Sequence, residues 1–159
     1  MARRPQHLLL GTLLALALAP LPLLAGACAT KGAAGPKPIY SDTVQVGPAD
    51  LAIDITHEAK GKRKLEIKMK MRVTGLEETE KLVADVFISG FNVEEGSTHW
   101  DGFVPPRQPQ THTVLLSVPE GTDKATATVQ IQRSHDSFLL VREELEFTVA
   151  ANGLVQPAG

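Results

Sequence analysis

Several side chains of the kind that bind divalent metal lie in the second half of the sequence: His99, Asp101, His112, His135 and Asp136. A bound metal needs three or four ligands that converge, usually at a characteristic spacing. These residues match no such spacing, so we expect isolated surface histidines, no metal site and no cofactor. A ligand or metal pocket around His99, Asp101 and His112 is the alternative.

Residues suited to acid, base or nucleophilic catalysis also occur, but not in catalytic patterns. The sequence has no G-x-S-x-G or comparable nucleophile motif. The carboxylate pairs Glu77-Glu78, Glu94-Glu95 and Glu143-Glu144 are sequence neighbours, and neighbours in a strand project to opposite faces. The sequence therefore predicts a protein that is not an enzyme and has no catalytic residue.

The only cysteine, Cys28, stands at the end of an apolar leader. The leader begins with Arg3 and Arg4, continues with an apolar run over 8–24, and ends with small residues at 25–27. This order is typical of an export signal peptide, which is helical and is removed from the mature protein.

Residues 1–28 resemble the signal segment of bacterial lipoprotein precursors, in which a leucine-rich stretch and small residues precede a cysteine. The resemblance implies that the signal peptide, 1–27, is cleaved between Ala27 and Cys28 and that Cys28 carries the lipid. It also implies attachment to a membrane of the bacterial cell envelope. Because Ala29 is not aspartate, the resemblance implies the outer membrane, with the protein facing the periplasm or the cell surface.

The small residues before Cys28 allow a second interpretation. The lipoprotein pattern prefers leucine three positions before the cysteine, where this chain has Ala25. Ala25-Gly26-Ala27 is also the A-x-A cleavage site of ordinary secreted proteins. In that case, cleavage after Ala27 yields a soluble periplasmic protein with a free thiol.

Without the leader, about 130 residues remain, enough for one domain. The loss of Arg3 and Arg4 leaves 14 Lys and Arg against 18 Asp and Glu, a formal charge of −4. This mildly acidic balance argues against nucleic acid as a partner. A chain with one cysteine forms no internal disulfide, so its stability must come from apolar burial.

Apolar residues recur at every second position from Thr43 onward, which predicts strands rather than helices. Seven strands in about 110 residues predict an all-β, antiparallel β-sandwich over 43–151, of the immunoglobulin-like or fibronectin-III-like kind. A Greek-key barrel and a smaller sandwich with a frayed first strand are the alternatives. The predicted strands lie at 44–46, 51–55, 64–74, 82–93, 114–118, 125–131 and 138–150.

Two segments flank the predicted domain. Residues 28–42 are rich in Ala, Gly, Pro and Lys, and we expect a flexible tether behind the lipidated N-terminus. We expect 152–159 to be a disordered tail.

The longest predicted connection, 94–110, contains the only tryptophan. Loops of this length are often functional. One interpretation is that Trp100 and Phe103, together with His99 and Asp101, present a contact surface to a protein or an envelope polymer. For Trp100 itself, the favoured interpretation is that it folds back and closes one end of the sandwich.

Basic residues concentrate between Lys60 and Arg72, where Glu66 is the only acid. Such a stretch can dock on anionic lipid headgroups or phosphates. The favoured interpretation is an ordinary solvated sheet face, paired with acids such as Asp85 and protected by its lysines against edge-to-edge aggregation.

These features together predict a lipid-anchored protein of the cell envelope that acts by binding or scaffolding. Its membrane contact is the lipid on Cys28, and its partner is an unidentified protein or envelope polymer. The alternative is an accessory subunit of an envelope system that binds a small ligand or a metal.

Overall fold

The computed structural model describes residues 35–158, which form two packed β-sheets and no helix. The predicted signal peptide, Cys28 and the first part of the predicted tether lie outside the described residues. Within 35–158, no helix is long and apolar enough to cross a membrane. The strands are β1 Lys37–Val46, β2 Ala49–Ala59, β3 Lys64–Val73, β4 Leu82–Ser89, β5 Asn92–Gly96, β6 His99–Gly102, β7 Gln110–Ser117, β8 Lys124–Arg133, β9 Leu139–Val149 and β10 Val155–Pro157.

Each sheet contains five antiparallel strands, so the predicted all-β sandwich is confirmed. The first sheet has the order β1-β2-β3-β7-β5, and the second has the order β10-β9-β8-β4-β6. Only Ser97 and Thr98 separate β5 from β6, so the chain passes from one sheet to the other at this edge.

The alternating sequence of β3 shows why the sheets pack face to face. Its odd positions from Leu65 to Met71 are fully buried, whereas Lys70 and Arg72 are exposed on the outer face. Side chains of a strand point alternately to its two faces, so one face of the sheet enters the core and the other meets water. The buried Phe147 on β9 contacts edge-on the ring of Phe91, which lies in the connection between β4 and β5, with ring centroids 5.9 Å apart.

The first strand begins earlier than predicted. β1 starts at Lys37 rather than after residue 42, so six residues of the predicted tether belong to the domain. β1 pairs with β2 along its length, and Ile39, Tyr40 and Val44 pack against the core. An edge strand tolerates proline and exposed polar residues, which explains why its composition resembles that of a tether.

The C-terminal segment is also more ordered than predicted. Residues 155–157 form β10 against the end of β9, and Val155 is only 3% exposed. The backbone N–H of Ala158 then donates to the carbonyl of Glu146 at 2.8 Å. A three-residue strand is too short to show alternation, so the sequence does not reveal it.

The predicted strand 82–93 and the predicted loop 94–110 are divided differently in the structure. Gly90 has φ +72° and separates β4 from β5. A Cβ atom at this glycine would lie 2.7 Å from the carbonyl oxygen of Lys124, so the turn needs glycine. Because β5, β6 and β10 were not predicted, the described chain has ten strands rather than seven, and the long loop shrinks to 103–109.

The strands run between two ends of the sandwich. The N-terminal end contains Lys37 and the turns after β2, β7 and β9. The distal end contains the connections 74–81, 103–109 and 134–138. A strand of ten residues spans roughly 33 Å, so the two ends lie about that far apart.

Candidate functional site

Strand β6 divides the predicted contact surface between two faces of the second sheet. Trp100 lies opposite the buried Ala84, is itself half-buried and packs against the core. His99 and Asp101 therefore project to the outer face. Trp100 packs against the core, and its part in a contact surface stays a prediction.

His99 and Asp101 are each paired locally on that outer face. The His99 Nδ1 atom lies 2.7 Å from Oδ1 of Asp85 on β4. Asp101 forms an ion pair with Lys81, and the hydrogen bond from the ammonium group lowers the pKa of this carboxyl. These contacts stabilise the pairing of the edge strand β6 with β4.

The possible metal ligands do not converge. His112 lies on β7 of the first sheet, where its Nε2 atom is 2.7 Å from the carbonyl oxygen of Ser97. His99 and Asp101 lie on the second sheet. Among residues 35–158, no group of three or more His, Cys, Asp or Glu side chains is placed to hold a metal ion.

The pair His135-Asp136 lies in the turn between β8 and β9. Arg133 Nη2 is 2.6 Å from Oδ2 of Asp136, and His135 Nδ1 is 3.4 Å from Oε2 of Glu80. The N–H of Phe138 donates to Asp136, and this hydrogen bond lowers the pKa of the carboxyl. The cluster joins the turn to the connection before β4, which is a structural role.

Three large apolar side chains in connections at the distal end are exposed. Leu76, Phe103 and Phe138 are 75%, 51% and 57% exposed, and they lie in three different connections. We call these three residues the distal apolar set. Sequence reasoning identified Phe103 but missed Leu76 and Phe138, although each is a large apolar residue in a turn beside charged residues.

Two of these connections are fixed to each other by a buried threonine. The hydroxyl of Thr79, which is 2% exposed, accepts a hydrogen bond from the backbone N–H of Val104 at 2.9 Å. Its own backbone N–H donates to the carbonyl of Val104 at 3.2 Å. Leu76 and Phe103 are therefore presented from a connected pair of loops.

The charges of the basic stretch from Lys60 to Arg72 are only partly neutralised, and the acids that pair with them differ from the predicted one. Lys60 pairs with Glu58 at 2.7 Å, and Lys64 pairs with Glu94 at 3.3 Å. Asp85 lies in the other sheet beside His99, so it is not a partner. Lys68 lies 3.6 Å from Glu66, whereas no carboxylate of the described residues lies within 4 Å of Lys70 or Arg72.

A cleft of about 130 Å³ lies at the N-terminal end beside His57. His57 is 6% exposed and contacts the ring of Phe147 edge-on, with ring centroids 5.6 Å apart. Burial lowers the pKa of His57, and the charge of Lys37 lowers it further. Sequence reasoning missed this residue, although its position in phase with Ile53 and Ile55 indicates that it faces the core.

Comparison with known proteins assigns no family, because no protein-family model and no curated protein matches the sequence. The function must be argued from the residues of this chain.

Proposed function

We propose that this protein is a lipid-anchored interaction module of the bacterial cell envelope. Cys28 holds it to the membrane, and the distal end contacts a protein partner. The observation that carries the proposal is the distal apolar set: Leu76, Phe103 and Phe138 are more than half exposed at the end opposite Lys37. A continuous apolar patch on an exposed surface is typical of a binding site, and we infer that these three residues belong to one.

The leader and Cys28 supply the attachment in this proposal. Two or three acyl chains on one residue hold a protein firmly, whereas a single chain binds only marginally. Lys37 lies nine positions after Cys28, and a chain of that length spans at most about 30 Å. The sandwich adds roughly 33 Å, so the distal end can reach about 60 Å from the bilayer surface.

The position of the distal apolar set favours a partner over the anchoring membrane. A surface that binds the anchoring membrane is expected near Lys37, where the chain enters the domain. Phe103 and Phe138 lie at the other end, where they can meet a protein held in another layer of the envelope. Aromatic side chains in connected loops are suited to this role, because aromatic anchors contribute much of the binding energy at interfaces.

Site-specific photo-crosslinking in the native envelope tests the contact surface. A photoreactive residue at position 103 or 76 should give a discrete adduct with a partner protein. The matched controls are Phe87 on the outer face of β4 and Val93 on β5, which are 55% and 45% exposed. Adducts from Phe87 or Val93 without adducts from the distal positions would assign the contact to another surface.

The substitution Cys28→Ser tests the attachment separately. We expect it to abolish fatty-acid labelling and to move the protein from the membrane fraction to the soluble fraction. Unchanged membrane retention would contradict attachment through Cys28.

A further inference from the structure

Two arginines adopt a backbone conformation that normally favours glycine. Arg63 has φ +57° and Arg107 has φ +63°. For a residue other than glycine this region is uncommon, and such a conformation persists where surrounding structure or function requires it. The two residues therefore need an explanation.

Local structure accounts for both conformations, but only the side chain of Arg63 is used within the fold. The guanidinium of Arg63 donates to the carbonyl oxygens of Val118, at 2.9 Å, and of Pro119, which fixes the turn after β7. Arg107 is exposed, and within residues 35–158 its side chain makes no ion pair and no hydrogen bond. Arg107 follows Pro106 in a β-turn that closes with the N–H of Gln108 donating to the carbonyl of Pro105 at 3.4 Å, and a turn of this kind requires a positive φ at that position.

Arg107 and Arg72 line the same open groove at the distal end. Leu76 and Pro109 supply apolar surface to this groove. Pro106 forms a β-bridge with Val73, which joins the loop of Arg107 to the end of β3.

Lys70 extends the positive surface along β3. It lies two residues before Arg72 on the same outer face, and such residues are about 7 Å apart. The nearest acid in register is Asp54, opposite Lys70, and its Oδ1 atom accepts a hydrogen bond from Ser41 at 2.6 Å. None of Lys70, Arg72 and Arg107 has a carboxylate within 4 Å among the described residues.

We propose that the groove between Arg72 and Arg107 binds an acidic, extended segment of a partner protein. This inference rests on the proposed function, because it specifies the chemistry of the partner at the distal end. Guanidinium groups bind carboxylates through two parallel hydrogen bonds. In an extended segment, alternate side chains repeat at about 7 Å, the separation of Lys70 and Arg72 on β3.

The apolar part of the groove favours a peptide over a phosphate polymer. Leu76 is 75% exposed, and Pro109 is exposed beside it in the groove. A peptide can cover Leu76 with an apolar side chain placed between its acidic residues. A polyphosphate chain has no apolar group to bury there.

Fluorescence anisotropy on the purified full chain in a neutral detergent tests the inference. The probe is a labelled peptide in which Glu and Leu alternate, and the control peptide has Gln in place of Glu. We expect the acidic peptide to bind and the control not to bind. Arg72→Gln and Arg107→Gln should each weaken binding about tenfold, since each removes a charge-assisted hydrogen-bond donor.

Arg142→Gln is the matched control variant. Arg142 is an exposed arginine on the outer face of β9, opposite Gln130 and far from the groove. Its substitution should change the affinity by less than twofold. An equal loss in Arg142→Gln would overturn the inference, because it would show a general effect of net charge.

Arg107→Gly separates binding from folding. Glycine adopts φ +63° without strain, so we expect the thermal midpoint to stay the same or to rise while the affinity falls. Unchanged affinity in this variant would overturn the inference.

Polyphosphate and phosphatidylglycerol vesicles are the competing probes. Binding of either one by the groove, with no binding of the acidic peptide, would make the groove a phosphate site and overturn the inference. The assay uses purified protein, so it depends on neither the lipid nor the partner. If the acidic peptide does not bind but crosslinks form in the envelope at position 76 or 103, this inference fails and the proposed function still stands.

Discussion

Replacement of the only tryptophan tests the packing of the edge strand β6. Trp100 packs against the core from β6 and is half-buried. Trp→Ala at a fully buried site costs about 3–5 kcal/mol, so partial burial brings the expected loss of unfolding free energy to about 2–3 kcal/mol. For a domain of this size, each kcal/mol lowers the thermal midpoint by about 4 °C, and Trp100→Ala should lower it by about 8–12 °C.

Urea unfolding followed by far-UV circular dichroism measures this loss without tryptophan fluorescence. Phe103→Ala is the control, since Phe103 is three residues away but 51% exposed, and we expect a change below about 0.5 kcal/mol. Trp100→Phe should recover most of the stability. The packing argument fails if Trp100→Ala is as stable as Phe103→Ala.

Three further predictions concern the rest of the sandwich. Arg63→Ala should lower the unfolding free energy, measured by urea unfolding, by about 2–3 kcal/mol, because the carbonyls of Val118 and Pro119 lose a charged donor. The control Arg142→Ala should change this free energy little. His57 should make the domain less stable as the pH falls below about 6.5, because burial lowers its pKa and the unfolded chain then takes up the proton first. This pH dependence should diminish in His57→Leu, and an unchanged profile would place its origin elsewhere. Gly90→Ala should lower the unfolding free energy by about 2 kcal/mol or more, because Gly90 has a positive φ and lies close to the carbonyl of Lys124. Gly75→Ala is the control: no atom lies within 4 Å of the added Cβ, so the same unfolding measurement should give a change close to zero.

The sequence predicts the fold best where burial alternates over many residues. The side-chain phase of β3 is correct from Leu65 to Val73, and the all-β sandwich follows from such patterns. The pattern fails at the edges of the sheets. β1 is half solvated and begins with Lys37-Pro38, so its composition resembles that of a linker.

The candidate site is less predictable because its members come from separate connections. Phe103 was recognisable as an aromatic residue in a loop. The sequence favours Trp100 as a packed residue but does not reveal its strand, because β6 has only four residues and shows no alternation. Arg72, Leu76 and Arg107 meet only after the bridge between Val73 and Pro106 forms, and such a long-range contact leaves no local signal.

Mass spectrometry of the mature N-terminus tests the central claim most directly. Trypsin should release the N-terminal peptide Cys28–Lys31 from protein isolated from its native envelope. Lipid anchoring predicts this peptide with the mass of a diacylglyceryl group on the thiol, together with any acyl chain on the amine. A peptide with a free thiol and a free amine, or one that retains residues before Cys28, would contradict the account.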